Sequence, residues 1–268
     1  MNDKQYGISK VYSQREAFLA GLDAISKKNH ATALNLLNTA KNLGPPDPNI
    51  LFNLGNLNLL QGEPELAILH YSEAANLNPN NPYIKNNLST AYLRCKKLDQ
   101  AEKTAKKATI LKSNFAEAWN SLGNALQAKN NTTDAAKAFK KAIKINSKLT
   151  AAKINLGHIY LQLNQPSKSL ELFKSTNFKQ EYLTEIYNGI ALSYQELGDI
   201  DNAIIFFQHA IKSDPKHTNS IGNLATLHQK IGQNSKALFL FENAVSLNPF
   251  DSKLLLNYGH LLVNLGKN

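Results

Sequence analysis

Residues 116–149 read AEAWNSLGNALQAKNNTTDAAKAFKKAIKINSKL. Trp119, Leu122, Gly123 and Leu126 recur at helical spacing, and so do Ala135, Phe139 and Ala142. Between them lie Asn130, Asn131, Thr132 and Thr133, breaker residues that end one helix and offer a hydroxyl to cap the next. The stretch predicts two short amphipathic helices joined by a polar turn. The same pattern recurs along the chain every 34 residues, a period that marks a stacked array.

Working outward from residue 116, repeats begin at Gln14, Pro48, Pro82, Ala116, Thr150, Thr184 and Thr218, with no insertion or deletion. The 268 residues divide into an N-terminus at 1–13 expected to be flexible, seven repeats at 14–47, 48–81, 82–115, 116–149, 150–183, 184–217 and 218–251, and a partial eighth at 252–268 holding a first helix only. Position eight is small throughout: Gly21, Gly55, Ser89, Gly123, Gly157, Ala191, Ala225 and Gly259. Positions 20 and 27 are alanine in every repeat but the fifth, which carries Ser169 and Thr176. Two antiparallel helices approach closely only where facing side chains are small. Bulk returns at position 24, with Leu37, Tyr71, Phe139, Phe173, Phe207 and Phe241. Gly62, Gly198, Gly232 and Gly266 mark the turn after the first helix. Pro45, Pro79, Pro215 and Pro249 mark the end of the second.

These residues resemble the tetratricopeptide repeat family. Its tryptophan, leucine-glycine, tyrosine, alanine, phenylalanine, alanine and proline positions are met in order, most fully by Trp119, Leu122 and Gly123 and by Tyr194, Ala203, Phe207, Ala210 and Pro215. The resemblance implies an all-α fold, a right-handed α-solenoid of helix-turn-helix repeats with the first helices lining a concave groove. The fifth repeat departs most, so a shortened or looser second helix is expected there, with Phe178 replacing lost core contacts.

Composition narrows the function. The single cysteine, Cys95, allows no internal disulfide and fits a reducing compartment. No secretory leader and no long apolar run is visible, so a cytoplasmic location without a membrane span is expected. Seven histidines form no metal-ligand spacing, and no nucleophile stands beside a base. Asp199 and Asp201 suit the start of a second helix. No cofactor, metal or catalytic residue is assigned, and the chain by itself is expected not to be an enzyme.

Binding is the remaining class. By resemblance, position six points into the groove, where it reads Leu19, Asn53, Asn87, Ser121, Asn155, Gly189, Asn223 and Asn257. After the first repeat five of seven are asparagine, where composition alone predicts about one. Asn56 and Asn124 at position nine, and Asn86, Asn120 and Asn188 at position five, widen this polar strip. An amide both donates and accepts, so such a row can hold the main chain of an extended peptide. The row resembles the asparagine ladder of the tetratricopeptide superhelix in O-linked N-acetylglucosamine transferases. Hydrogen bonding between neighbouring helices is the competing explanation. The expected partner is therefore an extended peptide or a protein. The lysine clamp that some family members use for C-terminal tails is not matched. Phe18, Phe52, Leu59, Tyr83 and Leu93 are read either as a hydrophobic partner site or as packing between repeats.

The net charge of +10 is concentrated, because residues 82–149 hold 14 basic and four acidic residues. Lys103, Lys106 and Lys107 repeat in register as Lys137, Lys140 and Lys141. A solvated face or an acidic partner explains them. The patch lacks the arginines and interleaved aromatics that nucleic-acid recognition uses, which disfavours nucleic acid. The last helix is apolar on more than one side, at Leu254, Leu255, Leu256, Leu261, Leu262 and Val263. That suggests a continuation beyond Asn268 or a partner chain. The alternative function is thus the substrate-recognition array of a larger glycosyltransferase or other transferase.

Overall fold

The computed structural model describes residues 12–266, so the expected flexibility of 1–11 lies outside the described residues. Those residues form α-helices and a single 3-10 turn, with no strand among them. In chain order the helices are α1 (Gln14–Ser26), α2 (His30–Asn42), α3 (Pro48–Gln61), α4 (Pro64–Leu77), α5 (Pro82–Arg94), α6 (Leu98–Leu111), α7 (Ala116–Ala128), α8 (Thr132–Ile145), α9 (Thr150–Gln162), α10 (Pro166–Lys174), α11 (Leu183–Glu196), α12 (Ile200–Ser213), α13 (Thr218–Lys230), α14 (Asn234–Leu247) and α15 (Ser252–Asn264). Odd numbers are first helices and even numbers second helices. The fold is an all-α repeat solenoid. It divides into two compact halves between Asn131 and Thr132.

Local chemistry sets the helix ends. Ser13 caps α1 in a box with Glu16, whose carboxylate accepts from the Ser13 amide at 2.8 Å. Asp47 and Asn81 cap α3 and α5 ahead of Pro48 and Pro82, whose missing N–H groups cost nothing at the first helical position. Position 15 is left-handed in every repeat described: Lys28, Gly62, Lys96, Asn130, Asn164, Gly198, Gly232 and Gly266 have φ between 54° and 81°. Only half of these sites carry glycine.

Within a repeat, position eight meets position 24. A Cβ on Gly55 would lie 2.5 Å from the Tyr71 ring, and one on Gly157 would lie 2.6 Å from Phe173. Neither contact is tolerable, so glycine is what lets the large ring enter. The third repeat carries Ser89 and Ala105 at these two positions, both buried, and the Ser89 hydroxyl donates to the Ala101 carbonyl at 2.8 Å. Each core cluster joins neighbouring repeats. In the N-terminal half one runs from Ala17 to Leu57 and another from Leu51 to Ala91. In the C-terminal half Phe173, Phe207 and Phe241 each centre a cluster.

The fifth repeat has the shortened second helix that its sequence predicts. Helix α10 runs nine residues, and the 3-10 turn at Gln180–Tyr182 precedes α11. Its departures from alanine are satisfied locally. Ser169 Oγ donates to the Gly157 carbonyl at 2.9 Å, and Thr176 Oγ1 to the Leu172 carbonyl at 2.8 Å. The expectation for Phe178 is corrected. That ring is exposed and lies 5.7 Å from Tyr187, outside the core, because Phe173 already fills the layer.

Candidate functional site: polar rows on the first helices

In the N-terminal half, Asn53, Asn87 and Ser121 stand half-buried on α3, α5 and α7. Asn56 is the junction of this row. Its Oδ1 accepts from the Tyr71 hydroxyl at 2.7 Å and from Asn87 Nδ2 at 2.8 Å. Burial pushes the Tyr71 pKa up, which keeps the hydroxyl a donor. Asn86 Nδ2 in turn donates to Asn87 Oδ1 at 3.1 Å, and Asn53 Nδ2 donates to the Asn49 carbonyl at 2.8 Å. Asn120 and Asn124 are half-buried on α7. The amides of α3 and α5 therefore tie neighbouring repeats together. An amide with two N–H groups and a two-lone-pair oxygen retains capacity beyond one such contact.

In the C-terminal half the row is Asn155, Gly189, Asn223 and Asn257 on α9, α11, α13 and α15. The gap at Gly189 has a steric cause. A Cβ there would lie 2.2 Å from the Phe173 ring of the preceding repeat, so no asparagine fits. Asn188, buried beside it, accepts from Ser220 Oγ at 3.1 Å and from Asn223 Nδ2 at 3.4 Å. Beyond Asn223 the row opens. Asn257 lies between a small recess shared with Asn223, Asp251 and Lys253 and a polar crevice of about 480 Å³. Thr226, Gln229, Lys230, His260, Val263 and Asn264 line that crevice with Asn257. Only Asn223 and Asn257 of this group stand out in the sequence. The others fall at positions nine, 12 and 13 of two successive first helices, where no single residue type predominates.

The aromatic residues of the N-terminal half divide. Phe18 packs on the first core cluster, and Phe52 and Leu59 on the second, with the Phe52 and Tyr71 rings 5.9 Å apart. Tyr83 is half-exposed against Phe115 at 4.9 Å, with the Lys112 ammonium over its ring.

The lysines divide as well. Lys103, Lys106 and Lys107 are exposed on α6, but only Lys103 and Lys107 turn into a crevice of about 370 Å³ between α4 and α6, where Lys85 of α5 joins them. Burial first, then the charge of Lys107, holds the Lys85 pKa below that of a free amine. On α8, Lys137 pairs with Asp134 at 2.8 Å and the Lys140 ammonium lies 5.6 Å above the Tyr160 ring. Lys141 is exposed.

Among the described residues no group of three or more His, Cys, Asp or Glu is placed to hold a metal, and no helix is long and apolar enough to cross a membrane. Burial, and then the Glu65 carboxylate that accepts from its thiol, raises the Cys95 pKa, which disfavours the thiolate.

Family models described as tetratricopeptide repeat match residues 48–81 and 116–149, and a second model of the same repeat matches 184–217 and 218–251. Comparison with curated proteins gives no match. Among solved structures, a tetratricopeptide repeat protein from Parabacteroides merdae superposes with a TM-score of 0.75 at 18% identity, covering 93% of this chain and 98% of that one. The Cut9–Hcn1 hetero-tetramer of APC/C gives 0.73 at 12% identity, over 93% of this chain and 46% of that one. YrrB, described as a protein of the same repeat with an unusual peptide-binding site, gives 0.53 at 23% identity, over 71% of this chain and 97% of that one.

Proposed function

The chain belongs to the tetratricopeptide repeat family, whose arrays are scaffolds for protein interaction, and from that premise we propose that it holds an extended peptide against its first helices. The observation that carries this reading is the crevice at α13 and α15. There Asn257, Thr226, Gln229 and Asn264, with Val263 beside them, line a volume of about 480 Å³ and carry both donors and acceptors. Side-chain amides bond peptide N–H and C=O groups without selecting side chains. Lys230 and His260 then supply preference for an acidic residue in the ligand. Asn87 and Asn56, already bonded to one another, contribute chiefly by fixing the spacing of α3 and α5.

The test is selection from a displayed library of random peptides on the full chain, followed by affinity measurement on the Asn223→Ala/Asn257→Ala double variant. Each lost hydrogen bond to the ligand backbone is worth about 1 kcal/mol, so binding should weaken by about tenfold or more. Unchanged affinity for the selected peptides would remove the asparagines from the site.

A further inference from the structure

A second crevice lies on the opposite kind of surface, between the second helices α12 and α14 with α13 as its floor. Its volume is about 630 Å³, and it is open to solvent along one side. Ile211, Leu224, Phe239 and Leu240 make it apolar. Phe239 is 68% exposed, an unusual placement for a phenylalanine that packs nowhere else in the core. Lys212 and Lys236 line it from opposite helices, and no carboxylate lines it. At the floor His228 is 6% exposed, and its Nδ1 has no hydrogen-bond partner among the described residues.

We infer that this crevice docks an apolar segment of a partner protein that carries acidic residues on its flanks. Each part of the assignment has its own observation. A large exposed aromatic at the rim of an apolar depression is the residue type that anchors interfaces. Two unpaired lysines flanking apolar surface repel basic partners and draw acidic ones. An unpartnered buried imidazole nitrogen offers one directional bond to a polar group that arrives with the apolar one. The open side admits a helix or a strand laid along the groove between α12 and α14, which suits a protein segment better than a small molecule needing enclosure. This site is independent of the first-helix crevice and uses none of its residues.

The probe is a fluorescein-labelled helical peptide of about 12 residues, leucine at the core-facing spacing and glutamate elsewhere, read by anisotropy on the full chain. A second peptide replaces every glutamate by lysine. The glutamate peptide should bind at least about tenfold more tightly than the lysine peptide, and Phe239→Asp should weaken it by about tenfold or more. Lys236→Glu should narrow the preference between the two peptides, and the Asn223→Ala/Asn257→Ala variant should leave it intact. Phe239 is largely exposed, so circular dichroism of Phe239→Asp should match the wild type. Equal binding of both peptides, no binding of either, or binding unaffected by Phe239→Asp overturns the inference. So does a dimer in light scattering that Phe239→Asp abolishes, which would assign the crevice to a second copy of the chain.

Discussion

The crevice at α4, α5 and α6 in the N-terminal half and the one at α12, α13 and α14 in the C-terminal half draw on the same positions of the 34-residue repeat. Both are floored by a leucine at position seven, Leu88 in one and Leu224 in the other. There the likeness ends. Position 22 is Lys103 in the first and Phe239 in the second, position 23 is Thr104 against Leu240, position 28 is Ala75 against Ile211, and position 11 is Tyr92 against His228. One crevice gathers Lys85, Lys103 and Lys107, and the other gathers apolar side chains. The positions that set helix-to-helix distance are under steric constraint, and those that line the crevice are not. A repeat can therefore keep its fold while changing what its surface recognises.

The comparison breaks most visibly if size at position 24 is altered. The third repeat carries a buried Ala105 there, with a buried Ser89 at position eight. Phe241→Ala copies that residue into the C-terminal half, where Phe241 is fully buried against Ala225 and Tyr258. The cavity left behind should cost about 3–5 kcal/mol, measured as a lowered urea midpoint. A loss below about 1 kcal/mol would mean that the two repeats pack alike after all.

The turns offer a smaller and reciprocal exchange. Lys96 adopts φ 57° where Gly232 adopts 75° at the same position. A side chain in that region costs about 1 kcal/mol, so Lys96→Gly should stabilise and Gly232→Lys destabilise by about that amount. Nothing lies within 4 Å of a Cβ at Gly232, so the effect there is conformational and not steric. Thermal unfolding of both variants checks the sign.

The smallest effect concerns position 11. Burial, and then Lys236, holds the His228 pKa below 6.5. The unfolded chain thus takes up a proton first as pH falls below 6.5, and stability is lost from there down to the folded pKa. His228→Tyr, which copies Tyr92, should leave less of the stability lost between about pH 7.5 and about pH 5.5. His70 and His158 are shifted the same way, mainly by burial, so some acid sensitivity remains. Urea midpoints at the two pH values, wild type against variant, measure the difference. An unchanged pH dependence would take His228 out of the acid response.

Much of the fold was legible in the residues because packing restricts them to a few sizes. Glycine facing Tyr71 or Phe173, and alanine at positions 20 and 27, repeat because two helices at close approach admit only small side chains. The shortening of α10 was legible too, in Ser169 and Thr176. What was not legible was the use made of each amide. Asn56 and Asn87 read as equal members of a ligand row, yet they bond each other across two repeats, 31 residues apart. The gap at Gly189 read as a missing asparagine, and its cause is a ring 16 residues earlier in the chain. Lys106 read as a member of a patch from which only Lys103 and Lys107 enter a crevice, joined by a Lys85 on another helix.

By itself, then, the sequence determined the period, the helical class, the turn positions and the residues of the core, since each follows from local spacing and from the size limit at one contact. Tertiary structure decided which side chains share a surface. The two crevices on the second helices and the polar crevice on the first are each lined from more than one helix. The second-helix crevices draw on matching repeat positions, but the residue types that fill those positions follow no common period. Only folding brings Phe239 beside Ile211, or Asn257 beside Thr226, because stacking one repeat on the next creates the surface between them.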